Sequence, residues 1–120
     1  MSMRAALRLL LPALAVLVLA ACSGGGDGAA AAADATPVKT SEVVAKDTRF
    51  NPAAIEVPAG ATVTWKFEDG AVPHNVKGDG FESRTQSSGT YRHRFDAAGT
   101  YAYRCTLHSG MKGRVVVTGT

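Results

Sequence analysis

The chain has 120 residues, room for one domain once a leader and a linker are set aside. Its 13 basic and 10 acidic side chains fall to 11 and 10 when Arg4 and Arg8 of the leader are removed, a balance that argues against nucleic acid as a partner. Of the two cysteines, Cys22 belongs to the leader's end and Cys105 to the C-terminal part, so no disulfide is expected and Cys105 needs another explanation.

Met1 to Arg8 is a short positive segment, and Leu9 to Ala21 is an uncharged run rich in Leu, Ala and Val, the pattern of a secretory signal peptide. As a helix the run reaches about 20 Å, short of the roughly 30 Å hydrocarbon core of a bilayer. Arg4 and Arg8 are not adjacent, which favours ordinary secretion over a twin-arginine route. Leu19, Ala20, Ala21 and Cys22 resemble the bacterial lipobox, which implies cleavage after Ala21 and a diacylglyceryl group on Cys22. Two acyl chains or more anchor stably where one does not. The expected location is therefore outside the cytoplasm of a bacterium, lipid-anchored, with the outer membrane implied by Ser23 where such a membrane exists. Plain cleavage leaving a free Cys22 thiol is the alternative.

Ser23 to Val38 is mostly Gly and Ala with two Asp and one Pro, and has no alternating or helical apolar pattern. It reads as a leash with a root-mean-square reach of about 22 Å. The expected divisions are a leader over residues 1–21, an anchor and linker over 22–40, and a folded domain over 41–120.

From Glu42 onward short alternating runs are punctuated by Gly, Pro, Asn and Asp, which predicts antiparallel strands. Candidates in chain order are Glu42–Lys46, Ile55–Val57, Thr62–Phe67, His74–Val76, Tyr91–Phe95, Tyr101–Cys105 and Arg114–Thr118. In the third, Val63, Trp65 and Phe67 alternate with Thr62, Thr64 and Lys66, giving one core face and one wet face. The same alternation turns Cys105 inward. It also places His93 inward between Tyr91 and Phe95, as a half-buried, hydrogen-bonded residue. Seven to eight short strands predict an all-β, two-sheet Greek-key sandwich, and Tyr101, five residues after Asp96, is the candidate for a tyrosine corner.

The segment Cys105, Thr106, Leu107, His108, Ser109, Gly110, Met111 puts three soft or borderline metal ligands on one short loop, which closes at little entropic cost. His74, after Pro73, is the fourth candidate. Beyond the leader, and setting aside Cys22, the chain has three His, one Met and one Cys, and four of these five fall into this one set. Thioethers suit copper and are poor zinc ligands, and two His, one Cys and a weak axial Met are the donors of a type 1 copper centre. A catalytic thiol would need an activating helix dipole or imidazolium, and no helix is predicted here; the chain is not expected to be an enzyme.

Phe50-Asn51-Pro52, Val63-Thr64-Trp65, His74-Asn75, Gly99 through Cys105 and the ligand loop together resemble the cupredoxins, the type 1 blue copper family. The two-residue gaps before His108 and before Met111 are similar to the amicyanin-like branch, and the general pattern to the plastocyanin-like one. The resemblance implies one Cu(I)/Cu(II) ion on His74, Cys105, His108 and Met111. It implies that Asn75 donates a backbone hydrogen bond to the Cys105 sulfur and links to Thr106 through its side chain. Electrons would pass at the edge of His108, ringed by Ala71, Val72, Pro73 and Leu107. It further implies single-electron shuttling by a monomer that docks transiently with a redox protein such as a cytochrome, dehydrogenase or oxidase. Copper storage or delivery outside the cytoplasm is the rival function, although such proteins tend to cluster Met or His.

Overall fold

The strictest alternation in the sequence becomes the centre of one sheet. A computed structural model of the chain describes residues 34–119. In it, the strand Ala61–Phe67 buries Val63, Trp65 and Phe67 and leaves the intervening residues half-buried or exposed. In chain order the strands are β1 (Val38–Lys39), β2 (Glu42–Lys46), β3 (Arg49–Asn51), β4 (Ala54–Pro58), β5 (Ala61–Phe67), β6 (Lys77–Gly78), β7 (Phe81–Glu82), β8 (Thr90–Phe95), β9 (Gly99–Arg104) and β10 (Lys112–Thr118). One sheet has the order β3-β2-β5-β8 and the other β1-β4-β10-β9-β6-β7. The all-β, two-sheet architecture is the one the sequence predicts.

The strand count is ten, above the seven to eight expected. The additions are β1, β3, β6 and β7, each of two or three residues and too short to show an alternating pattern. Not every pairing is antiparallel. β2 runs parallel to β5, and β4 runs parallel to β1 and to β10. Between β2 and β5 the chain visits the other sheet as β4, and this crossover brings β5 back beside β2 in the same direction. His74–Val76 is not a strand. His74 makes a single bridge with Gln86, and the Val76 N–H donates to Ser83 Oγ at 2.8 Å instead of to a ladder partner. Cys105 lies one residue past the end of β9.

Five aromatic rings fill the space between the sheets. Trp65 meets Tyr103 edge-on at 5.3 Å, stacks over Phe81 at 6.0 Å, and lies 5.6 Å from Tyr91 and 6.4 Å from Phe95. Edge-on and offset contacts of this kind add to what the buried area alone contributes. Tyr103 reaches the centre because Gly113, opposite it on β10, has no side chain: a Cβ there would overlap the phenol. The tyrosine corner is present, with Tyr101 OH donating to Ala97 O at 2.7 Å.

Before residue 41, Val38 and Lys39 pair with Ile55 and Glu56, and Arg114 donates to Ala35 O at 2.6 Å. The sheet thus begins three residues ahead of the boundary the sequence suggests. The expected leader, the lipidation site at Cys22 and the linker up to residue 33 lie outside the described residues.

Candidate metal centre

Cys105 follows β9 directly and keeps the strand's inward parity, so its thiol is buried. The loop after it closes on itself: Cys105 N–H donates to Met111 O at 2.9 Å, and Met111 N–H donates to His108 O at 3.2 Å. Met111, the loop's last residue before β10, is also buried. His74 comes from the other side of the site, on the segment between β5 and β6, and is fully buried. Two backbone hydrogen bonds exchanged with Gln86, at 3.0 and 2.9 Å, hold that segment in place.

The ligand atoms of His74, Cys105 and His108 all lie within 4.8 Å of one another. His74 Nδ1 is 3.9 Å from Cys105 Sγ, and the two imidazoles meet edge to face with centroids 4.8 Å apart. Metal–sulfur and metal–nitrogen bonds are about 2.3 and 2.0 Å, so two donors 3.9 Å apart lie within reach of one ion. With one cysteine sulfur, two imidazoles and a buried thioether, three of the four on one loop and His74 on a separate segment, the donor set fits copper. His74, Cys105, His108 and Met111 have the arrangement of a type 1 copper site.

His74 and His108 each have Nε2 engaged in a hydrogen bond, which leaves Nδ1. His108 Nε2 donates to Pro73 O at 3.1 Å, leaving Nδ1 for the site. His74 Nε2 is 2.8 Å from Asp69 Oδ2, and Nδ1 is the atom beside Cys105. The Asp69 carboxylate is held below the usual range by that histidine first and by the Thr48 N–H second. Asp69 is a contact that sequence reasoning missed. Asp69 opens a turn in which Val72 N–H returns to Asp69 O at 3.0 Å and Gly70 takes φ 60°. This turn folds the carboxylate back onto the histidine five residues ahead.

Asn75 and Thr106 tie the two ligand-bearing segments together. Thr106 N–H donates to Asn75 Oδ1 at 2.7 Å, and Asn75 Nδ2 donates to Thr106 Oγ1 at 2.9 Å. The side-chain link the resemblance implies is thus formed. The backbone link is not formed among the described residues, where the contact of Cys105 Sγ is with His74 Nδ1. His93 stays apart from the cluster. It is half-buried as expected, but its ring stacks on Phe81 at 4.9 Å and forms no hydrogen bond among the described residues. Of the residues expected around His108, Pro73 accepts its hydrogen bond, and Ala71, Val72, Pro73 and Leu107 are all exposed.

A family model of copper-binding proteins, the plastocyanin/azurin family, matches residues 37–118. Amicyanin-alpha of Methylorubrum extorquens is 39% identical over 89 residues, covering 68% of this chain and 74% of that protein. Plastocyanin of Scenedesmus fuscus is 33% identical over 84 residues, covering 57% of this chain and 85% of that one. Among solved structures, a reduced amicyanin variant superposes with a TM-score of 0.60 at 32% identity, covering 73% of this chain and 90% of that one.

Proposed function

Because the chain belongs to the plastocyanin/azurin family of copper-binding proteins, we propose that it carries single electrons between redox proteins outside the cytoplasm. The observation that carries this reading is the convergence of the His74, Cys105 and His108 ligand atoms within 4.8 Å beside a buried Met111. A copper ion held there supplies one-electron chemistry between its cupric and cuprous states.

The protein's part is to keep the donors still. Cupric and cuprous ions favour different geometries, so donors that cannot relax toward either one keep the rearrangement on electron exchange small. The closed loop from Cys105 to Met111 and the Asn75–Thr106 link both oppose such relaxation. Burial of Cys105 keeps water from its sulfur. His108 is the ligand nearest solvent, and the collar around it is apolar, with Val72 39% and Leu107 48% exposed. Contiguous exposed apolar surface marks interaction sites, and a small one suits the brief encounters of redox partners. The partner is expected to be a cytochrome, dehydrogenase or oxidase that meets a monomer of this chain.

Storage and delivery fit less well. Such a role favours several Met or His clusters, and among the described residues the ligands form one cluster and Met111 is the one methionine. The leader and the lipobox-like Leu19–Cys22 support an anchor on Cys22, with residues 41–120 as the functional domain. Mass spectrometry of the purified protein tests the anchor: an unmodified Cys22 removes it.

The electron-carrier reading is tested by the visible spectrum of the oxidised, copper-loaded protein. A strong thiolate-to-copper band is expected near about 600 nm, absent in Cys105→Ser. Reversible voltammetry over repeated cycles then separates a carrier from a store, which would lose or rearrange its metal.

A further inference from the structure

One carboxylate oxygen connects the copper ligand His74 to a strained turn on the neighbouring sheet. Asp69 Oδ2 lies 2.8 Å from His74 Nε2 and accepts the Thr48 backbone N–H at 3.1 Å. Thr48 and Asp47 form the two-residue turn between β2 and β3, and both sit in the left-handed region, with φ 56° and 52°. A β-branched residue there is a conformational outlier. In that conformation its N–H is aimed at Asp69.

A neutral imidazole has one N–H and one lone pair. His74 is wholly buried, and the Asp69 carboxylate is the side-chain acceptor at Nε2. The acceptor therefore places the proton on Nε2 and leaves the Nδ1 lone pair facing Cys105 Sγ. The Asp69 side chain is itself only 15% exposed, so its charge is weakly screened by water.

We propose that Asp69 is a positioning residue for the copper centre, fixing the Nε2–H tautomer and ring orientation of His74 and biasing the metal toward its cupric state. The second effect follows from charge. The oxidised site carries one positive charge more than the reduced site, so a nearby anion stabilises it preferentially. Carboxylate partners of ligating histidines act in this way at other metal sites, and their loss weakens metal affinity by about 10- to 100-fold. The inference rests on the copper reading of the site, but its first measurement does not need copper.

The test uses full-length protein and the variants Asp69→Asn and Asp69→Ala. In the copper-free protein, the ring nitrogen shifts of His74 report the tautomer. We expect the Nε2–H form alone in the wild type and a tautomer mixture in Asp69→Ala. Asp69→Asn keeps an acceptor oxygen without the charge, so it should hold the tautomer. In the loaded protein, cupric affinity should fall about tenfold in Asp69→Asn, with cuprous affinity moved less. If cuprous affinity does not move at all, the potential rises by about 59 mV for this one-electron couple. An unchanged tautomer in Asp69→Ala together with an unchanged potential in Asp69→Asn would overturn the proposal, even if both variants lost thermal stability. A changed tautomer with no copper uptake in any form would leave the positioning intact and sink the copper reading.

Discussion

Asn75 and Thr106, 31 residues apart in the chain, hold each other by three hydrogen bonds: 2.7 Å from the Thr106 N–H to Asn75 Oδ1, 2.9 Å from Asn75 Nδ2 to Thr106 Oγ1, and 3.2 Å between Oγ1 and Oδ1. They neighbour His74 and Cys105, so the link fixes the distance between two ligands that lie on different segments. Asn75 is buried, and truncating it removes the acceptor of the Thr106 N–H.

Asn75→Ala should cost about 2 kcal/mol, because each hydrogen bond contributes about 0.5–1.5 kcal/mol. Urea unfolding of the copper-free protein measures this. Cupric affinity should fall in the same variant, since the His74–Cys105 spacing is no longer enforced. Unchanged stability and unchanged affinity together would show that the link is incidental.

Gly113→Ala tests the aromatic packing. A methyl group at Gly113 would overlap the buried Tyr103 phenol, and the ring has Phe50 4.8 Å away on another side. Overpacking of this kind costs about 1–3 kcal/mol. Gly119→Ala, where a Cβ meets nothing within 4 Å, is the matched control and should stay within about 0.5 kcal/mol of wild type. Equal unfolding midpoints for the two variants would mean that Tyr103 has room to move.

The same contrast explains what was legible in the sequence. Strands β2, β5, β8 and β10 announce themselves because one face is buried and the alternation follows. Strands β6 and β7 have two residues each, so no period can be read from them. The four ligands were legible from scarcity, since His, Cys and Met are few and nearly all converge. Asp69 was not, because carboxylates are common on surfaces and only the fold of the Gly70 turn distinguishes this one. His93 shows the opposite failure: parity correctly made it half-buried, but parity cannot say that Phe81, rather than a hydrogen-bond acceptor, covers the ring.

Tyr101→Phe removes one hydrogen bond, from the phenol to Ala97 O at 2.7 Å, while keeping the ring against Phe95 at 4.9 Å. The expected loss is about 1 kcal/mol, read as a lowered urea midpoint with an unchanged slope. A midpoint equal to wild type would show that water replaces the corner at no cost.

Tyr103 gives a prediction at the alkaline end. Burial pushes its phenol far above the usual tyrosine range, and the Trp65 indole beside it acts weakly in the other direction without reaching hydrogen-bond geometry. In the unfolded chain the group ionises near about pH 10. Above that pH the unfolded state has lost a proton that the folded state still holds, so stability contributed by this group is complete below about pH 10 and falls as pH rises toward the folded value. Tyr91 is raised as well, first by burial, so the wild-type slope is shared between two tyrosines. Tyr103→Phe isolates one of them. The buried hydroxyl has no hydrogen-bond partner among the described residues, so its removal should cost little at neutral pH or even stabilise the fold, and should flatten the decline above about pH 10. Thermal melts of wild type and variant at pH 8 and pH 11 measure the difference, with the 295 nm tyrosinate absorbance recorded in parallel. Parallel loss of stability in both proteins, or ionisation of all three tyrosines before unfolding, would mean that Tyr103 is reached by solvent in the native state.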